Sequence, residues 1–140
     1  MESTIFNFND GGFPLNNFQD VTVTEILISS AAGAITPPNW VVHGKAVLGN
    51  HDGDPQNASA WLVLMVGDTP KIIDRADVRI DQFGNTVSIC LQAVVLLSPA
   101  DIKKGEIEVE LHCSTFAGNV VWAKLVAMTT DSATKTVGTP

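Results

Sequence analysis

The chain has 140 residues, 45% of them hydrophobic and 16% charged, enough for one sizeable core and too few for two. Fifteen acidic residues against 8 basic ones give a formal net charge of -7, a field that repels phosphate backbones and anionic lipid, so nucleic acid and membrane surfaces are excluded as first-choice partners. With no tyrosine and only 6% aromatic residues, the core must be aliphatic, and its many β-branched side chains suit a pleated surface.

In chain order, a short strand is expected at Thr4 to Phe8, then a loop from Asn9 to Asn17 turned by Gly11, Gly12 and Pro14. Val21 to Ile28 is a strand whose parity slips at Glu25, as at a bulge. Ser29 to Asn39 is a small-residue connection closed by Pro37-Pro38. Trp40 to Leu48 is the next strand and Asn50 to Asn57 the next loop. Ala58 to Val66 is apolar on both faces, which asks for a central place in a sheet and cover on both sides, one of them from a neighbouring subunit if need be.

Gly67 to Pro70 turns the chain into Ile72 to Asp81, where Arg75, Asp77, Arg79 and Asp81 form a polar face that reads as a surface charge ladder. Gly84-Asn85 marks a hairpin into Thr86 to Leu97, the longest strand. Pro99 to Lys104 fits a single helical turn. Glu106 to Cys113 alternates polar and apolar without a break, the period of a strand with one wet and one dry face. A tight connection at Ala117-Gly118-Asn119 then leads to Val120 to Thr130.

These seven to eight strands, with turn signals every 8 to 12 residues or so and no segment of helical period, predict an all-β fold: a two-sheet antiparallel β-sandwich, jelly-roll-like. Residues 1–130 are the single domain and 131–140, rich in Ser, Thr and Gly, a mobile tail. The N-terminus carries no basic segment and no sustained apolar stretch, which predicts a cytoplasmic or leaderless-secreted product without a signal peptide or membrane span.

The candidate ligand site is the loop Asn50, His51, Asp52, Asp54 and Asn57 with nearby Trp61. Asp52, Asp54 and Asn57 offer hard oxygens around a tight turn, the chemistry of a calcium site, although the ordered ligand series of an EF-hand is missing. Asp-Gly and Asn are equally the ordinary residues of a β-connection. Trp40, Trp61 and Trp122 read either as core filling or as platforms for a sugar ring or an oligomer contact.

His43, His51 and His112 lack zinc spacing and read as three unrelated surface histidines. Cys90 and Cys113 fall on neighbouring expected strands, but their parity sets the sulfurs on opposite faces, so two free thiols are expected; a register that pairs Leu97 with Glu106 would bring them together. The chain has no Gly-x-Ser-x-Gly elbow, no phosphate-cradling glycine loop and no Cys-His pair with an orienting group, so no catalytic residue is assigned.

The stretches Asn50 to Ala58, Asp74 to Ile80, Ser88 to Ala93 and Val109 to Cys113 resemble a loose group of small, uncharacterised bacterial single-domain β-proteins, across most of Trp40 to Met128. The resemblance implies a bacterial origin and a sandwich fold, and brings no function with it. The expectation from the residues is a non-enzymatic binding or assembly module that self-associates as a homo-oligomer through its doubly apolar strands, a role that fits a component of a toxin or particle, with no cofactor. The alternative is a lectin-like carbohydrate-binding module with calcium in the 50–57 loop.

Overall fold

The computed structural model describes residues 4–29 and 36–130. Nine strands and one helix follow in order: β1 (Thr4–Asn9), β2 (Phe13–Asn16), β3 (Val21–Leu27), β4 (Asn39–Asn50), β5 (Gln56–Val66), β6 (Thr69–Ile80), β7 (Thr86–Leu96), α1 (Pro99–Lys103), β8 (Ile107–Thr115) and β9 (Ala117–Thr129). They build two antiparallel sheets, one ordered β1-β9-β4-β7 with β2 also on β9, the other β3-β8-β5-β6. The expected sandwich of seven to eight strands is therefore present. β1 and β2 add a ninth by occupying one edge position in succession, β1 beside 123–128 and β2 beside 117–120 of β9.

Among the described residues, only β5 and β6 are consecutive strands paired in the same sheet, through the turn at Gly67-Asp68. Other connections between successive strands pass from one sheet to the other, apart from β1 to β2 on their shared edge. That crossing order defines a jelly roll. It corrects the hairpin expected at Gly84-Asn85, because β6 and β7 lie in different sheets. The backbone there bonds β4 instead, Gly84 N to Asn50 O at 2.8 Å and Asn50 N to Asn85 O at 3.0 Å, which extends the β4–β7 ladder.

The connection expected at 117–119 is likewise strand; the break falls at Phe116, where the chain leaves one sheet for the other. Gly118 serves a close approach there, since a Cβ on it would lie 2.2 Å from Gly49 O. The segment read as loop from Asn9 to Asn17 holds β2, whose Pro14 is tolerated because β2 is an edge strand. The bulge in β3 falls at Val23, between Thr22 and Thr24, just before Glu25.

The core lies between the sheets and is aliphatic, with Val42, Leu48, Leu91 and Leu125 from one side facing Leu62, Leu64, Val109 and Leu111 from the other. β5 is central in its sheet, between β8 and β6, as its double apolarity predicts. Gly44 leaves room for Leu62, whose Cδ2 would lie 2.9 Å from a Cβ. The two open sides of the sandwich are stitched by polar side chains. Asn7 and Asn9 of β1 donate to Glu25 O and Val23 O of β3 at 3.0 and 2.8 Å, and Asp74 of β6 accepts from Gln92 N of β7 at 2.8 Å. These bonds occupy backbone groups of edge strands that would otherwise recruit another chain.

α1 confirms the expected turn and is set by a capping box, Ser98 accepting from Asp101 N and Asp101 from Ser98 N. The expected tail, 131–140, and part of the Ser29 to Asn39 connection lie outside the described residues.

Candidate functional site

The loop between β4 and β5 is built around two buried amides. Asn50 Nδ2 donates to Asp54 O (3.1 Å) and Ile80 O (3.3 Å), while its Oδ1 accepts from Asp52 N (2.7 Å) and from Gln56 Nε2. Gln56 Nε2 also reaches Ala117 O, and its Oε1 accepts from Thr115 Oγ1 (2.9 Å) and Ala117 N (2.8 Å). Every donor and acceptor of both amides is used on the chain itself. Asn50 is therefore turned inward and has nothing left for a ligand, which corrects its assignment as a binding residue. Gln56, inside the stretch expected to be loop, is its partner at the start of β5.

The other expected residues do not converge with it. His51 is exposed with its ring 6.4 Å from Phe83, Asp54 is exposed in the loop, and Asp52 is half-buried there. Asn57 stands on β5, on the outer face that Ser59 and Trp61 share. Among the described residues, three possible ionisable metal ligands gather only at Glu25, Glu108 and Glu110, whose oxygens lie within 4.8 Å of one another. They belong to β3 and β8, away from the 50–57 loop in sequence and sheet position.

The outer face of β3-β8-β5-β6 carries a cross-strand row of Thr22, His112, Trp61 and Arg75. Asp20, from the β2–β3 connection, lies 2.5 Å from His112 Nδ1, and Glu110 Oε1 lies 2.9 Å from Nε2. His112 is consequently buried and paired, where an unrelated surface histidine was expected. Its partner Asp20 is 92 residues away in the chain, beyond the reach of spacing arguments.

Asp20, His112 and Thr22 repeat the acid–imidazole–hydroxyl order of a hydrolytic triad, but Thr22 Oγ1 is 3.5 Å from Nε2 and Glu110 already holds that nitrogen. The arrangement fixes a ring between two carboxylates and leaves no nitrogen free to activate the hydroxyl. A shallow groove of about 420 Å³ runs beside it over Val63, Met65, Pro70 and Ile72. Along β6 beyond Trp61, away from that groove, the charge ladder is present as expected, Arg75 on Asp77 at 3.2 Å and Arg79 on Asp81 at 3.7 Å. Ser59 and Arg75 hydrogen bonds hold the Asp77 carboxyl below its ordinary range.

Burial, and then the negative neighbours Glu25, Glu110 and Glu106, raise the Glu108 carboxyl above its ordinary value. A carboxyl raised by folding stabilises the fold below its unfolded pKa, and that contribution is lost as pH rises through the folded value. Glu108→Gln is therefore expected to raise the melting temperature at pH 7 by roughly 1 °C, a few tenths of a kcal/mol from removing a partly buried charge and its repulsion by neighbouring carboxylates. The gain should vanish in melts at pH 4 and below; an equal gain at both pH values would rule out the carboxylate charge as its source.

The outer face of β1-β9-β4-β7 differs in kind. Its five strands contain no Asp or Glu, although the chain has 15. They present Lys45 and Lys124 directly opposite one another, with Phe6, Phe8, Val126 and Met128 around them and a shallow depression of about 450 Å³ near His43, Cys90 and Gln92. All six phenylalanines of the chain are exposed, Phe6 at 68%. Phe6, Phe8 and Phe13 lie along the β1/β2 edge, and Phe18, Phe83 and Phe116 lie in loops, Phe18 and Phe116 with ring centres 5.9 Å apart.

Neither indole on the outer faces is bare. Phe8 stacks on Trp122 at 5.8 Å with Lys45 Nζ 5.2 Å from the ring centre, and Trp61 has His112 at 5.5 Å and the Arg75 guanidinium at 5.2 Å. Trp40 is core, its Nε1 donating to Pro37 O at 2.7 Å. Both cysteines are free, as parity predicts: Cys90 is exposed on one sheet and Cys113 buried in the other. Since β7 and β8 do not pair, the register that would have joined them does not occur. Burial, helped by the Asp20 charge, pushes the Cys113 thiol up to about 12.

Fold and faces together define a jelly-roll β-sandwich with two chemically unlike outer surfaces. No protein-family model matches the chain, and no curated protein matches it in sequence. Among solved structures it is similar in fold to infectious bursal disease virus, Gx strain, at 12% identity and a TM-score of 0.54, over 92% of this chain and 33% of that one. It is also similar to VP2 of the subviral particle of the same virus, at 12% identity and a TM-score of 0.53, over 91% and 32%. The C-terminal CBM6 of LamC, a marine laminarinase from Zobellia galactanivorans, aligns at 13% identity with a TM-score of 0.41, over 88% and 98%. The chain spans about a third of the viral chains it matches. No described helix is long and apolar enough to cross a membrane.

Proposed function

We propose that the protein is a non-enzymatic assembly module, a jelly roll that associates with copies of itself through the outer face of its β1-β9-β4-β7 sheet. The observation that carries this reading is the placement of all six phenylalanines outside the core, with Phe6 and Phe8 bordering an acid-free sheet face. Phenylalanine is among the residues most often buried, and aromatic anchors concentrate in protein interfaces. VP2, similar in fold, was solved as a subviral particle; a particle-forming habit in this chain is part of the proposal.

The carbohydrate reading has less support, because a sugar needs an open aromatic face and both outer indoles already have neighbours across them.

Light scattering over a concentration series tests the proposal. Mass should rise above that of the monomer, and Phe6→Ser with Phe8→Ser should shift the rise to about tenfold higher concentration, as expected when interface aromatics are truncated. A strict monomer at every concentration overturns it.

A further inference from the structure

We propose that the lysine-bearing face docks on the acidic outer face of the β3-β8-β5-β6 sheet in a second copy, so that copies stack front to back. The inference rests on the self-association proposed above and adds which two faces meet. Lys45 lies directly opposite Lys124, and like charges in that relation repel. No strand of their sheet contains an acid to relieve them, and neither lysine is in an ion pair among the described residues.

The other face has the mirror-image problem. Glu25 lies directly opposite Glu110, and with Glu108 the three carboxylates fall within 4.8 Å of one another. The arginines of that face are engaged with Asp77 and Asp81 on β6 and its end. Glu110 already has His112 at 2.9 Å, but Glu25 and Glu108 are in no ion pair among the described residues, nor are Lys45 and Lys124, so each face holds unpaired charge and the two signs are opposite.

The surroundings match as well. Phe8 and Trp122 flank the lysines, while Val63 and Met65 stand directly across from Glu110 and Glu108. Apolar ground beside charge is the composition of an interface in which contact is apolar and charge sets register and partner. Sheets pack face to face about 10 Å apart, so stacking needs no new element. Because the contact joins two different faces, it is heterologous and either closes into a ring or runs on as a filament.

Two charge-swapped proteins decide the matter. Lys45→Glu with Lys124→Glu inverts one face, and Glu25→Lys with Glu108→Lys turns the other group from three negative charges to a net positive one, Glu110 staying beside His112; circular dichroism checks that both fold. In light scattering at low ionic strength, where the Debye length is about 30 Å, each alone should remain monomeric at concentrations where the unmodified protein assembles. An equimolar mixture should regain the assembled mass, and about 1 M salt should weaken assembly of the unmodified protein.

If the glutamate-swapped protein assembles alone as the unmodified protein does, the lysine face meets its own kind and the front-to-back inference is wrong, while self-association stands. If both swaps are monomeric and the mixture stays so, the inference is also wrong. An unmodified protein that never assembles removes both this inference and the reading beneath it.

Discussion

Asn50→Ala is expected to lower the unfolding free energy by roughly 3 kcal/mol, read as a lower urea midpoint at unchanged slope. The side chain is fully buried and makes four hydrogen bonds, two given and two received. Alanine removes all four and strands partners that are themselves inside the protein, the Ile80 carbonyl and one proton of the Gln56 amide. An unsatisfied buried polar group costs about 1–3 kcal/mol, and two of them dominate the total. Asn50→Asp should do no better despite its shape, because it loses both donors and adds a charge where none is compensated. Asn57→Ala, on the exposed face of β5, should stay within about 0.5 kcal/mol and serves as the control for the loop. A loss below about 1 kcal/mol for Asn50→Ala would mean that the amide pair does not hold this end of the sandwich.

The same residue shows where the sequence is legible and where it is not. Alternation announces a strand from its own residues, so β4 to β9 were readable nearly to their ends, and the strand at 107–115 could be assigned its wet and dry faces. Pairing is a property of two segments, and turn residues alone do not encode it. Gly84-Asn85 has the chemistry of a hairpin, yet its Gly84 N–H and Asn85 carbonyl both bond Asn50, and the chain crosses to the other sheet. The Asn50 to Asn57 stretch has the oxygens of a calcium loop, but the partners of Asn50 and Gln56 sit at Ile80, Thr115 and Ala117, far along the chain. His112 met Asp20 for the same reason. The two unlike faces were within reach: once strands are assigned, the absence of any acid in those that form one sheet is visible in the letters, and what was missing was the knowledge that β1, β2, β4, β7 and β9 belong together.

Trp40→Ala should be the most damaging single substitution, at about 4 kcal/mol, a large part of the 5–15 kcal/mol that holds a typical domain. The chain has no tyrosine, its six phenylalanines are exposed, and Trp61 and Trp122 lie on outer faces, so Trp40 is the one aromatic side chain of the core. An aliphatic core closes poorly over a hole of indole size, since the neighbouring strands are held in register by their own ladders to β7 and β9. Trp40→Phe separates the two parts of the loss. It keeps most of the buried area and gives up the 2.7 Å bond from Nε1 to Pro37 O. Pro37 is only half-buried, so water can take over its carbonyl, and the phenylalanine variant should lose about 1–2 kcal/mol. Urea unfolding of the two variants is the check. If both lose the same amount, the hydrogen bond, and not the volume, is what Trp40 supplies; if alanine loses less than about 2 kcal/mol, the space between the sheets collapses around it and the core is softer than its buried aliphatic packing implies.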